Sequence, residues 1–185
     1  MMLAPERDVS PDGLFDRDPG PDDGRRWWLA QTKPRQEKAL ARQLAARGLS
    51  FYLPCRPYRR RAGRRVVTSH LPVFPGYLFV RVAESERPAA LAASAAARLL
   101  AVADQARLWA DLAQVRRVLD LGVPVTLVDR LPPGARVAVR SGPLAGAVGV
   151  VVREASRRTL VIRVELIGRG VAVVVDAETL GKLDA

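Results

Sequence analysis

The segment Leu71–Val82 constrains the fold most, because an apolar run is interrupted by Pro75 and Gly76 between two aromatic residues. Pro75 has no backbone N–H and a fixed φ, and Gly76 readily adopts a positive φ, so the chain must turn or bulge there. Beyond the turn, Tyr77–Val82 alternates in period two with few polar positions on either face. The pattern predicts a strand covered on both faces, with Phe74 and Tyr77 placed beside the turn to meet a partner.

The net charge of +11 is concentrated in the middle of the chain. Residues 1–24 carry two basic and seven acidic side chains, residues 25–121 carry nineteen and six, and residues 122–185 carry nine and six. A domain as basic as the middle segment attracts nucleic acid electrostatically. The first segment is rich in Pro, Gly and Asp and lacks apolar periodicity, which predicts a disordered acidic tail over residues 1–24.

Several functional classes have no support in the residues. Cys55 is the only cysteine and His70 the only histidine, so we expect no metal site, no cofactor and no Cys-His nucleophile. Phosphate-binding Gly-rich loops, paired carboxylates and Ser-His-Asp sets are also missing from the pattern, so we do not expect an enzyme. The chain shows neither a secretory signal nor an apolar run of membrane-spanning length, and we expect a cytoplasmic protein without membrane contact.

Residues 25–121 have the pattern of a compact α/β domain. The sequence predicts a strand at Trp27–Gln31, a helix at Arg35–Arg47 and an extended run from Ser50, followed by an Arg-rich hairpin with its tip at Ala62 and Gly63. A short helix from Ser85, a strand from Leu99 and a helix with Leu108, Leu112, Val115 and Leu119 complete the domain. We therefore expect helices packed on one face of a mostly antiparallel sheet.

The pattern changes after Gly122, where helical periodicity gives way to short Val-rich strands separated by glycine. Residues 122–131 contain Pro124 and precede two further prolines, which indicates a short, partly stiff linker. Residues 132–185 then supply enough strands for a small five-stranded β-barrel, a closed form that protects strand edges. The predicted fold class of the whole chain is α+β.

Two sets of motifs, in this order, resemble the NusG family of transcription elongation and antitermination factors, whose chains join an NGN domain to a KOW domain. The first set is Trp27-Trp28-Leu29 with Lys33 and Glu37, and the block Pro72–Val80. The second set is Gly134–Val139, then Gly142–Gly146 with Gly149. The Phe-Pro-Gly-Tyr block is fairly specific, whereas the Gly-Pro turn in a small barrel is shared with ribosomal proteins.

The resemblance implies a monomeric factor that binds the clamp helices of the largest catalytic subunit of RNA polymerase and suppresses pausing or termination. A coiled-coil tip calls for a concave apolar receptor rimmed by charge. The ring-bearing or apolar residues that we assign to this receptor are Trp28, Phe51, Tyr52, Phe74, Pro75 and Tyr77. The matching family region faces upstream and non-template DNA, and the residues that we assign to DNA are Arg56, Arg59, Arg60, Arg61, Arg64 and Arg65.

The KOW domain of the family binds a small-subunit ribosomal protein or the termination factor Rho, which implies partner contacts through Leu144, Ala147 and Arg169. Relatives commonly carry two aromatic residues where this chain has Leu144 and Ala147, which argues against strong binding of either partner. This departure favours a specialised, RfaH-like paralogue, with a housekeeping factor as the alternative. The alternative interpretation is a ribosome-associated or general RNA-binding KOW protein. Tighter binding to free RNA than to polymerase would favour this alternative.

Overall fold

The computed structural model describes residues 8–16, 23–131, 134, 136–154, 157–175 and 177–182. By its contacts the chain divides into two compact units, Met1–Ala106 and Arg107–Ala185. The predicted division into residues 1–24, 25–121, 122–131 and 132–185 places the main boundary later, and these ranges remain a prediction. The α+β fold class is confirmed.

The first unit alternates strands and short helices. Its elements are β1 (Val9–Ser10), β2 (Arg25–Thr32), α1 (Glu37–Ala46), β3 (Ser50–Tyr52), β4 (Cys55–Ala62), β5 (Arg65–Pro72), β6 (Tyr77–Ala83), a 3₁₀ turn (Glu84–Glu86), α2 (Arg87–Leu91) and β7 (Ala96–Ala101). Five strands form one sheet in the order β1-β3-β6-β2-β7, with antiparallel pairing throughout. Strands β4 and β5 pair only with each other, as a separate ribbon.

Helix α1 covers one face of the sheet. Leu40, Ala41 and Leu44 are buried on this helix, in a cluster that also contains Phe51 and Val80 of the sheet. The spacing of one turn between the two leucines places them on the same side of the helix. The helix stops where the sequence predicts, because Gly48 has a φ of 66° and its N–H donates to the Ala45 carbonyl.

The amino-terminal segment is folded where the structure describes it, so the expected disorder is wrong for residues 8–16. Strand β1 extends the sheet by pairing Val9 with Tyr52, and the Leu53 N–H donates to the Asp8 carbonyl at 2.6 Å. The Phe15 ring lies 5.9 Å from the Trp27 ring and 4.9 Å from the Tyr52 ring, measured between centroids. Apolar packing and strand pairing therefore hold this segment, which we call the N-terminal arm (residues 8–16). Residues 1–7 and 17–22 of the predicted tail lie outside the described residues.

The second unit contains most of α3 (Gln105–Asp120) and a six-stranded antiparallel sheet. The strands are β8 (Val125–Val128), β9 (Arg136–Val139), β10 (Val148–Glu154), β11 (Arg157–Val164), β12 (Arg169–Val175) and β13 (Leu180–Lys182), in the order β13-β9-β10-β11-β12-β8. Five of them fall in the range predicted for the barrel. The sixth, β8, occupies residues predicted as linker and pairs with β12, so that stretch is an integral strand.

Polar side chains of α3 bond to β10 and to the 3₁₀ turn (Glu165–Ile167) that follows β11. Asp111 is 4% exposed and accepts the Glu165 N–H at 3.0 Å, while the Arg107 Nε donates to the same carboxylate at 3.0 Å. Loss of solvation on burial raises the pKa of Asp111 above its usual value. The Val148 N–H donates to the Gln114 side-chain oxygen at 2.7 Å. These bonds explain why Arg107 and the residues after it are grouped with the strands.

Candidate functional site

The structure does not gather the six predicted polymerase-binding residues on one exposed surface. Trp28, Phe51, Tyr52 and Phe74 are at most 8% exposed, and they lie in the core. Phe51 and Tyr52 are neighbours on β3 and therefore point to opposite faces of the sheet. Both faces are covered, so the expectation of an exposed receptor made of these four rings is wrong. Pro75 is exposed and Tyr77 is half-buried.

The turn at Pro75 and Gly76 is nevertheless fixed by specific bonds. The Gly76 N–H donates to the Glu37 carboxylate at 2.7 Å, and the Gly76 carbonyl accepts the Thr32 N–H at 2.9 Å. Gly76 has a φ of 86°, as the Pro-Gly sequence predicts. Glu37 is only 7% exposed. The first turn of α1 therefore anchors this turn directly, which explains why a carboxylate is buried there.

A pocket of about 240 Å³ opens beside α1. It is lined by α1, by the end of β3 and the residues after it, and by the base of the ribbon, and its residues are Lys38, Ala41, Arg42, Ala45, Phe51, Leu53, Cys55 and His70. Ala41 and Ala45, one turn apart on α1, contribute small side chains to the lining. The floor is apolar, and Lys38, Arg42 and His70 place nitrogen atoms around it. The pocket is thus an apolar concavity with a charged rim, built largely from residues outside the predicted receptor set.

Only Phe51 of the pocket was among the predicted receptor residues. The remaining lining residues were not predicted. For Ala41 and Ala45 the reason is that alanine side chains on a helix usually indicate close packing in the core, not a pocket. One signal was present: Ala41 and Ala45 follow the core leucines Leu40 and Leu44 by one position, so small residues occupy the stripe next to the buried one. A stripe of this kind lets another apolar group approach the helix closely.

The predicted DNA-binding arginines lie together on the β4–β5 ribbon or at its tip. Arg56 is half-buried, and Arg59, Arg60, Arg61, Arg64 and Arg65 are exposed. Ala62 pairs with Arg65 and Gly63 has a φ of 62°, so the hairpin tip is close to its predicted position. Within the part of the chain that the structure describes, none of the six arginines forms an ion pair with a carboxylate. Their charge is therefore available to an anionic partner.

The predicted partner contacts of the second unit are mostly buried. Leu144 is 8% exposed and Ala147 is 1% exposed, so neither offers a surface, and that expectation is wrong for both. Both residues lie in the loop between β9 and β10. This loop folds inward because the Val139 N–H donates to the Ala147 carbonyl and the Gly146 N–H donates to the Val139 carbonyl. Arg169 is half-buried and lies 3.5 Å from a carboxylate oxygen of Asp129.

The described residues contain no group of three or more His, Cys, Asp or Glu side chains arranged to hold a metal ion. They also contain no helix with the length and apolar character needed to cross a bilayer.

Comparison with known proteins identifies the family. The model of the family described as "Transcription termination factor nusG" matches residues 25–121, which is more than half of the chain. The chain belongs to the NusG family. Its role is accordingly that of a transcription factor. The match covers the same residues as the predicted NGN domain, and it includes α1, the pocket and the ribbon.

Solved structures of NusG-family and Spt5 proteins are similar to this NusG-family chain. The Thermotoga maritima NusG structure titled for its domain interaction is 17% identical, with 86% of this chain and 98% of that chain covered and a TM-score of 0.49. A structure of the MjSpt4:Spt5 complex in conformation A is 13% identical, with 85% and 98% covered and a TM-score of 0.29. No curated protein matches the chain.

Proposed function

We propose that this NusG-family factor binds the clamp helices of RNA polymerase through the pocket beside α1, and that it suppresses pausing or termination. The observation that carries the proposal is an apolar pocket with a basic rim inside the range matched by the family model. A helical coiled-coil tip presents apolar side chains at its centre and charged ones around them, which suits such a pocket. The factor would act by stabilising one conformation of the polymerase, without catalysis of its own.

Cys55 provides a direct test, because it lines the pocket and is the only cysteine in the chain. We expect excess core RNA polymerase to slow maleimide labelling of Cys55 at least about tenfold, since a bound helix tip would cover the thiol. Protein labelled beforehand should fail to copurify with the polymerase, whereas unlabelled Cys55→Ser should copurify like the parent chain. Unchanged labelling in a complex that does form would move the contact away from the pocket.

The proposed contact with DNA rests on the ribbon. Its six arginines are clustered, carry no described acidic partner, and lie on a two-stranded element that no other strand covers. Neutralised phosphates release counterions, so each lost contact reduces the dependence of binding on salt concentration. The ribbon therefore suits upstream or non-template DNA next to a bound polymerase.

Replacement of Arg60, Arg61, Arg64 and Arg65 by alanine should weaken DNA binding and reduce the slope of log K against log salt by about 3. Fluorescence anisotropy at several salt concentrations measures this slope. Lysine at the same four positions keeps the charge and should keep the slope, which separates charge from changes in ribbon structure. An alanine variant with the parent slope would remove the ribbon from the interface.

We also propose that the second domain recruits a further partner, as the order of domains in the family implies. With Leu144 and Ala147 buried, Arg169 is the only one of the three predicted contacts with an accessible side chain. Arg169 lies in the first position of β12, directly after Gly168, which has a φ of 63°. A partner of the second domain would therefore contact the surface at this turn. Leu144 and Ala147 would not contact that partner directly.

A further inference from the structure

The register of the ribbon divides its side chains between two faces. Directly paired residues lie on the same face, and neighbours along a strand lie on opposite faces. Arg56 pairs with Leu71, Tyr58 with Ser69, and Arg60 with Val67, so these three pairs share one face. The other face carries the pairs Pro57 with His70, Arg59 with Thr68, and Arg61 with Val66. The only aromatic residue of the ribbon other than His70 is thus flanked by two arginines.

Tyr58 is open to solvent in a way that a structural tyrosine seldom is. Its exposure is 45%, and its direct partner across the ribbon is a serine, which is too small to cover the ring. Val67 and Leu71, its diagonal neighbours, are 38% and 37% exposed. Exposed apolar groups beside an aromatic ring form a platform, and this one lies between positive charges. Packing within the fold therefore does not explain why position 58 carries an aromatic ring.

We propose that Tyr58 is a stacking platform for an unpaired base of single-stranded DNA. Arg56 and Arg60 lie two residues before and after Tyr58 on the same face of the strand, so their Cα atoms are about 6.6 Å from the Tyr58 Cα, and their long side chains can reach either side of the ring. That arrangement allows one base to stack on the ring while the phosphates on its two sides meet the arginines. Single-strand binding sites combine stacking rings and basic grooves in this way.

The proposal rests on the proposed contact between the ribbon and DNA, and it adds a base-dependent element to it. Arginines alone would bind duplex and single strand through phosphate, with no need for a ring. In a duplex both faces of each base are covered by its neighbours, so the Tyr58 ring would have nothing to stack on. An exposed ring between arginines therefore selects an unpaired strand.

The test compares oligonucleotides that carry the same phosphates with different bases. Fluorescence anisotropy of the full chain would be measured with a thymidine 12-mer, an abasic 12-mer, and a duplex of the same length. We expect Tyr58→Ala to weaken binding of the thymidine 12-mer by about 5- to 150-fold, the range for loss of one stacked base. Its binding to the abasic strand and to the duplex should stay within about twofold. Tyr58→Phe should bind like the parent chain, and Val66→Ala, on the opposite face, should do the same.

The outcomes separate the two proposals. If Tyr58→Ala binds the thymidine strand as the parent does while the four-arginine variant is weakened, stacking is wrong and the phosphate contact stands. If neither variant changes binding, both are wrong. Equal weakening toward thymidine strand, abasic strand and duplex would assign Tyr58 a structural role and overturn the proposal. A uridine 12-mer bound more than about tenfold tighter than the thymidine 12-mer would overturn the choice of DNA.

Discussion

Replacement of Ala45 by phenylalanine is expected to weaken binding of the full chain to core RNA polymerase by about 30-fold to several hundred-fold. Ala45 is exposed, lies on α1 and lines the pocket, so a ring at this position would occupy the space proposed for the helix tip. When the central side chain of a partner can no longer enter its pocket, binding weakens by about 2–4 kcal/mol. Quantitative copurification or interferometry with immobilised polymerase would measure the change.

The adjacent residue provides a matched control. Ala46 is also exposed on α1 but does not line the pocket, so Ala46→Phe makes the same chemical change outside the site. Ala46→Phe should bind polymerase within about threefold of the parent chain. Both variants should unfold at similar temperatures, because substitutions at exposed helix positions rarely change stability much. Equal binding by Ala45→Phe and the parent chain would exclude the pocket as the polymerase contact.

Local patterns predicted the elements around this pocket well. The turn at Gly76, the stop of α1 at Gly48 and the Arg-rich hairpin are signalled by residues that lie within the element itself. The pocket itself was harder to predict from the sequence, because its position depends on which surfaces remain uncovered after the elements pack together. Phe51 and Tyr52 look alike in sequence, yet β3 is an inner strand, so each ring is covered by a different layer.

The N-terminal arm was missed for a related reason. Its composition, with Pro11, Asp12 and Gly13, is that of an unstructured segment. Its order comes from non-local contacts: two residues of β1 pair with the edge of β3, and Phe15 lies against rings from two other strands. A strand of two residues has no detectable period. Only the ring at Phe15 distinguished this segment from a solvated tail.

The Phe15 ring and the pocket lie on opposite faces of the same sheet. Phe15 contacts the Tyr52 ring, whereas the neighbouring Phe51 lines the pocket. Because successive residues of β3 point in opposite directions, a change at Phe15 can affect stability without altering the pocket walls. Phe15 therefore acts as a cover for Trp27 and Tyr52, and the proposed polymerase contact does not require its ring.

Replacement of Phe15 by alanine should lower the free energy of unfolding by about 2–3 kcal/mol. The ring is half-buried, and its loss would remove two aromatic contacts and admit water to Trp27, which is only 2% exposed. Chemical denaturation would measure the change, and a red shift of tryptophan fluorescence in the native state would report the uncovered Trp27 ring.

Asp12→Ala is the control for this variant, because Asp12 is exposed on the same arm and its loss should change stability by less than about 0.5 kcal/mol. Polymerase binding by Phe15→Ala, measured where the protein remains folded, should match the parent chain. A Phe15→Ala protein as stable as Asp12→Ala, with unshifted fluorescence, would mean that the arm does not cover Trp27 in solution. Stability near that of the parent together with lost polymerase binding would instead assign the arm to the polymerase contact, against the separation of faces seen at Phe51 and Tyr52.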